Sequence, residues 1–230
     1  MIGRFANRTE AGRLLAARLS GYAGRPDVLV LALPRGGVPV AHEIARSLAA
    51  PLDVLVVRKL GVPGHEELAM GAIATGGVRL LNQQAIATLG IPPEAVMEVD
   101  RREQAELQRR ERSYRGTRPP LEVSGKTVIL VDDGIATGST MQAAIGSLRH
   151  RGVRRLVVAA PVAPASVVAT LHHVADEVTC VLTPEDFGGV GWWYDDFSQT
   201  SDEEVHRLLD AAASHPFPTI PVPGPLTRTP

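Results

Sequence analysis

One cysteine, Cys180, stands among 230 residues. It leaves no partner for an internal disulfide and excludes a cysteine-rich metal site. Excess charge is missing too. Lys and Arg number 24 against 25 Asp and Glu, a net charge of -1, so bulk electrostatics imply neither nucleic acid nor an anionic membrane as partner. Aromatic residues make up only 4% of the chain, which makes any local cluster of them informative. The longest apolar runs, such as VLVLALP, are too short to cross a bilayer. The opening MIGRFANRTEAGR carries charge where a signal peptide has an apolar core. Neither GxSxG nor HExxH occurs. These absences together lead to the expectation of a cytoplasmic protein with no membrane and no nucleic-acid partner.

What is present suffices for a sizeable core. Hydrophobic residues are 44% of the chain, and the length suits one domain with embellishments. Five apolar runs bounded by turn residues read as buried strands: DVLVLAL (Asp27–Leu33), LDVLVVRKL, KTVILVDD, RLVVAAPV and EVTCVLTP. Between them lie helical patterns: NRTEAGRLLAARLSGY, VPVAHEIARSLAA, STMQAAIGSLRHRG and PASVVATLHHVA. In the third of these Met141, Ala144, Ile145 and Leu148 share one face, and Gly152 ends the helix. The alternation predicts an α/β fold with a central parallel sheet of about five strands and helices on both faces.

Three segments embellish that plan. AMGAIATGGVRLLN reads as extended structure turning at Gly76-Gly77. Residues from about 92 to 116 read as an inserted charged helix; between Pro92 and Arg118 stand seven arginines and six acids. Glu98–Arg102, Glu106–Arg110 and Glu111–Arg115 have i,i+4 spacing, which suits a solvated or interface helix. The run HPFPTIPVPGPLTRTP holds six prolines and excludes a helix or central strand. The expected organisation is one domain over residues 1–215 and a proline-rich tail over 216–230.

The stretch VILVDDGIATGST (Val128–Thr140) carries the chemistry. Four apolar residues lead into Asp132 and Asp133, then into a loop of glycines and hydroxyls. In an open parallel sheet ligands bind beyond the carboxyl ends of the strands. A turn from such a strand into a helix offers backbone N–H groups and the positive end of a helix dipole, a phosphate site. Ala136, Thr137, Gly138, Ser139 and Thr140 form that turn. No Lys follows the second glycine, so it is not a Walker loop, and it lacks the GxGxxG pattern. Two carboxylates repel phosphate and need another target on the same ligand. Ionised carboxylates only accept hydrogen bonds, and the vicinal diol of a ribose donates two. A ribose 5-phosphate unit satisfies both halves of the motif.

This stretch resembles the phosphoribosyl pyrophosphate (PRPP) motif of the type I phosphoribosyltransferases: four apolar residues, two acids, then a small-residue loop ending in Thr-Gly-x-Thr. The likeness extends from about Arg4 to Leu208, through NRTEAGRLLAARL, LPRGGVPVA, RKLGVPGHEELAMGAIA and FGGVGWWYDDFSQTSDEEV, to an uncharacterised bacterial branch of that family. It implies transfer of phosphoribose from PRPP, with Mg²⁺, to a small-molecule nitrogenous acceptor, and release of pyrophosphate. It also implies a frequent homodimer. PRPP's second anion needs a facing site. The resemblance places it at Arg35, Gly36 and Gly37, where family members have a glycine-containing loop, often with a non-proline cis peptide; a plain Gly-Gly turn is the alternative. After the second strand, Arg58 and Lys59 are expected at the same sheet edge, their charge neutralising the departing pyrophosphate. The next segment, with Gly61, Pro63 and Gly64, corresponds to the family's closing loop; Glu66 and Glu67 either hold Mg²⁺ through water or stand solvated.

In this fold the acceptor lies under a hood, here residues from about 184 to 200. The cluster EDFGGVGWWYDDF supplies aromatic faces, Trp193 and Tyr194 among them, to stack on a base, and Asp195 to accept from its N–H groups. The alternative is that the aromatics fasten the hood to the core or form a dimer contact. Relatives acting on 6-oxopurines commonly have an acid just before the Thr-Gly pair; here that position is Ala136, which speaks against a standard hypoxanthine–guanine activity. Asp132, Asp133, Arg35 and Arg58 are thus the expected catalytic group. A non-catalytic PRPP or nucleotide sensor on the same fold is the second reading, and cleavage of a ribose phosphate bond by water or phosphate the third.

Overall fold

The computed structural model describes residues 3–119 and 122–214, apart from the side chain of Glu67. The proline-rich tail expected over 216–230 therefore lies outside the described residues. Five strands, β1 (Val28–Ala32), β2 (Leu52–Val54), β6 (Thr127–Val131), β7 (Arg155–Val162) and β8 (Glu177–Leu182), form one sheet in the order β2-β1-β6-β7-β8. Every pairing in it is parallel. All residues of β1 and β6 are buried, as continuous apolar runs require when both faces of a sheet are covered.

Alternation along the strands sends side chains to two separate cores. Val28, Val30, Ala32, Ile129 and Val131 pack with α1 (Arg8–Arg18), α2 (Gly37–Leu48) and α7 (Asp202–Ser214). Leu29, Leu31, Val128 and Leu130 pack with α5 (Ser139–His150) and α6 (Ala165–Leu171). Met141, Ala144, Ile145 and Leu148 of α5 are all buried, the face read from sequence. Helices thus cover both faces of a five-stranded parallel sheet, as expected.

The chain leaves β1 outward to β2 and leaves β6 in the other direction to β7. Strand order reverses between β1 and β6, so a crevice opens at their carboxyl ends, where open α/β sheets bind ligands.

The run LDVLVVRKL is not one strand. It divides into β2 and β3 (Val57–Val62), which belongs to a second, antiparallel sheet with β4 (His65–Ala74) and β5 (Val78–Leu81). The handover takes two residues. The Leu55 amide still donates to Ala32 of the parallel sheet at 2.9 Å, whereas the Val56 carbonyl already accepts from Thr75 at 2.9 Å. The pairing partner changes across buried Leu55 and Val56, so the apolar run shows no break. The extended segment with its turn at Gly76 and Gly77 is β4 and β5. The expected closing loop is the β3–β4 hairpin.

After α3 (Gln83–Thr88), α4 (Pro93–Arg115) spans 23 residues and buries Val96, Val99, Glu103, Leu107 and Tyr114 along one stripe. Of the expected helix pairs, Glu106–Arg110 closes at 2.6 Å and Glu111–Arg115 at 3.6 Å, while Arg102 turns to Glu103 at 3.2 Å. The helix α7 carries a start signal in Ser201, whose hydroxyl accepts from the Glu204 amide at 3.1 Å. Among the described residues no helix is long and apolar enough to cross a membrane.

Candidate active site

The loop after β6 is pinned at its base by the amide of buried Ile135, which donates to Val162 at the end of β7 (2.9 Å). Gly138 then turns left-handed, at φ +76°, and starts α5, a conformation that suits glycine. Its carbonyl accepts from Gln142 at 2.8 Å. Ala136, Thr137, Ser139 and Thr140 are exposed around this turn, and the hydroxyls of Thr137 and Ser139 stand 3.1 Å apart. First-turn amides of a helix lack intrahelical partners. This one therefore presents N–H groups and hydroxyls together to the crevice, the expected phosphate cradle.

Asp132 and Asp133 sit between that cradle and the sheet, half-buried. Asp132 Oδ1 accepts from the Asp133 amide at 2.9 Å. Asp133 Oδ2 accepts from Arg8 Nε at 2.8 Å, and the Asp133 carbonyl accepts from the Tyr194 hydroxyl at 2.5 Å. Burial raises the Asp132 carboxyl well above the ordinary aspartate range, and the charge of Asp133 raises it further. Burial also raises Asp133, with Arg8 opposing. Two carboxyls this close and this poorly solvated do not both ionise freely. Asp132 is the one that retains a proton more readily.

The loop after β1 faces the acid pair across the switch point. Its Pro34–Arg35 peptide is cis, the feature the family resemblance led us to expect. A Cβ on Gly36 would stand 2.0 Å from Asp133 Oδ2, and one on Gly37 would stand 2.7 Å from the Val131 carbonyl oxygen. The two segments touch: a side chain at Gly37 would meet backbone, and one at Gly36 would displace the Asp133 carboxylate. The Arg35 guanidinium is partly exposed and reaches Asp202 of α7 at 3.8 Å. Asp202 in turn accepts from the Tyr114 hydroxyl at 2.8 Å. The crevice is therefore bordered by the turn into α5, an acid pair and a second backbone turn beside an arginine.

Arg58 and Lys59 are not at the edge of the parallel sheet, because β3 carries them into the hairpin. The Arg58 guanidinium binds Glu103 of α4, at 2.9 Å through Nε and 2.6 Å through its terminal nitrogen. Lys59 is exposed and shares with Ser139, Gln142 and Asn82 the lining of a groove of about 370 Å³ between the hairpin and α5. Glu66 is exposed, and the side chain of Glu67 lies outside the described residues.

The hood is fastened to the core. Phe5 donates to the Trp193 carbonyl at 2.8 Å, and Asp195 donates to the Phe5 carbonyl at 2.8 Å. Tyr194 is buried against Phe5 and Phe197, with ring centroids 5.3 and 5.1 Å away. Its ring has no open face for a base, so the stacking role expected for Tyr194 gives way to packing. Trp193 is partly buried and spends its indole N–H on the Phe187 carbonyl at 3.0 Å. Asp195 is exposed, and Trp192 is the ring that stands open, at 69% exposure.

Residues 4–195 match the family described as "Phosphoribosyl transferase domain". The chain belongs to the phosphoribosyl transferase domain family. A Mycobacterium tuberculosis protein provisionally named a phosphoribosyl transferase is 49% identical over 208 residues, covering 90% of this chain and 47% of that protein. The chain thus spans about half the length of the curated relatives it matches first. The crystal structure of TT1426 from Thermus thermophilus superposes with a TM-score of 0.80 at 42% identity, over 90% of this chain and 97% of the other. A "Bifunctional protein PyrR" from Chloroflexus aurantiacus is 32% identical over 120 residues, 51% of this chain and 60% of that one.

Two contacts to the acid loop were not evident in the sequence of this phosphoribosyl transferase domain. Tyr194 contributes a hydroxyl to the acid loop rather than a ring to a ligand. Arg8 contacts the acid pair from 125 positions away in the chain, and its setting in NRTEAGR signals only a helix start.

Proposed function

We propose that this domain binds PRPP and transfers its phosphoribose to a nitrogenous small molecule, releasing pyrophosphate. The observation that carries the reading is the contact between the two loops at the switch point. It brings the acid pair against the Arg35–Gly37 turn, beside the Ala136–Thr140 loop, and this supports phosphate, diol and pyrophosphate lying in that order.

In this reading the first-turn amides of α5 hold the 5-phosphate and Asp132 and Asp133 accept from the ribose diol. As the bond to pyrophosphate breaks, positive charge grows on the sugar beside the acid pair, and negative charge held there favours it. The backbone of Gly36 and Gly37 and the Arg35 guanidinium hold the leaving group. Among the described residues no three His, Cys, Asp or Glu side chains cluster as a metal cage. Mg²⁺ keeps waters and substrate phosphates as ligands, so it would enter with the pyrophosphate at the Arg35–Gly37 turn. The cation would supply neutralisation of the leaving group's charge.

Calorimetric titration with PRPP and Mg²⁺, followed by pyrophosphate release assays over a panel of bases, tests this. Binding with turnover of at least one base is the expected result, and absence of PRPP binding refutes it. One observation favours the second reading, a PRPP sensor. Arg58, which a leaving-group site would use, is already committed to Glu103. Arg35→Ala separates the two readings: an enzyme loses rate, whereas a sensor keeps its ligand response.

A further inference from the structure

Arg8 is the first residue of α1, where the helix dipole disfavours a cation. It is nevertheless almost enclosed, its side chain 12% exposed and that of Asp133 14%. Three groups hold it. Nε donates to Asp133 Oδ2 at 2.8 Å, a terminal nitrogen donates to the Ser198 carbonyl at 2.7 Å, and the guanidinium carbon lies 4.0 Å from the centre of the Phe197 ring. The acid belongs to the loop after β6 and the other two groups to the hood. One side chain thus ties the ribose-binding acids of the proposed site to the segment that covers them. The adjoining backbone repeats the tie, since Asp196 donates to Ala6 at 3.0 Å.

We infer that Arg8 is a positioning residue: the counter-ion that fixes the Asp133 carboxyl at the crevice, and that couples hood seating to ribose binding. This rests on the PRPP reading above. Every charged or titratable group facing Asp133 can be named. Asp132 adjoins it in the loop, Tyr194 comes from the hood, Arg8 comes from α1 with Asp196 acting on its guanidinium, and the turn bearing Arg35 presents the backbone of Gly36 to the carboxylate. Arg8 is the single cation touching the acid pair among the described residues. Burial pushes Asp133 toward its neutral form, and the guanidinium is the foremost group opposing it. Without it the acid protonates at higher pH, and its preference for accepting from the diol is lost until pH rises.

The test compares wild type with Arg8→Gln and Arg8→Lys. PRPP affinity in the presence of Mg²⁺ is measured by calorimetry as a function of pH, and the carboxyl carbons of the unliganded protein are titrated by carbon NMR with Asp133→Asn as the assignment control. Arg8→Gln is expected to weaken binding at neutral pH by roughly 10-fold or more, the equivalent of one pKa unit, and to recover as pH rises. The Asp133 titration midpoint should rise in Arg8→Gln and return part-way in Arg8→Lys, which keeps charge but loses the second donor and the ring contact. Should Arg8→Gln not fold, Phe197→Leu removes the ring under the guanidinium and is expected to move the same midpoint less. An unchanged midpoint in a folded variant overturns the inference, as does equal loss in Gln and Lys with no change in pH profile. If wild type fails to bind PRPP while the midpoint still moves, the donor reading falls and the counter-ion role stands.

Discussion

Asp133 and Glu106 each accept hydrogen bonds from arginine, yet their proton affinities move in opposite directions. Glu106, on the solvent side of α4, takes the Nε of Arg109 at 2.7 Å and of Arg110 at 2.6 Å. Hydrogen bonds from these two guanidiniums bring its carboxyl down to about 2. Asp133 takes one arginine at 2.8 Å and still lies above its ordinary value, because desolvation beside Asp132 outweighs that single partner. The difference separates a surface network, where water does most of the solvating, from a crevice where protein replaces water. Perturbation of that second kind marks candidate functional sites.

The sharpest way to break the contrast is at the acid pair. Replacing both acids, Asp132→Asn with Asp133→Asn, is expected to weaken PRPP binding by about 100-fold or more in calorimetry, the loss of charge-assisted hydrogen bonds worth about 1.5–3 kcal/mol each. Next comes the contact that closes the crevice. A Cβ on Gly37 meets the Val131 backbone at 2.7 Å, so Gly37→Ala is expected to cost about 1–3 kcal/mol of stability in denaturant unfolding. A cost near zero would mean that the two loops do not touch.

A smaller effect has the opposite sign. Asp132 binds its proton more tightly folded than unfolded. Between the ordinary aspartate pKa and the raised one, the folded chain holds more protons, so stability falls as pH rises through that window. Asp132→Asn removes the penalty and is expected to stabilise the chain at about pH 8, with little gain at about pH 3. Destabilisation at the higher pH would contradict the assignment. The smallest effect belongs to the surface: Glu106→Gln is expected to shift the thermal midpoint by less than about 2 °C in calorimetry.

The parallel sheet was legible because buried strands are continuous apolar runs and α5 shows its buried face at helical spacing. The phosphate cradle and acid pair were legible because their residue types have few uses together after a buried strand. The division of LDVLVVRKL was hidden, since a strand that changes partners keeps the same composition. That error also misplaced Arg58, whose partner Glu103 lies on a separate helix. Tyr194 read as a base platform because aromatic content says nothing about which ring is covered. Its burial depends on Phe5, at the far end of the chain. Arg8 was invisible for the same reason: a long-range ion pair has no local spacing.

A crystal structure with PRPP and Mg²⁺ tests the central claim most directly. The account predicts the 5-phosphate on the amides of Ala136–Thr140, the ribose diol on Asp132 and Asp133, and pyrophosphate against Arg35–Gly37. Phosphate bound elsewhere, with the acid pair still turned only to Arg8 and its own loop, would contradict it.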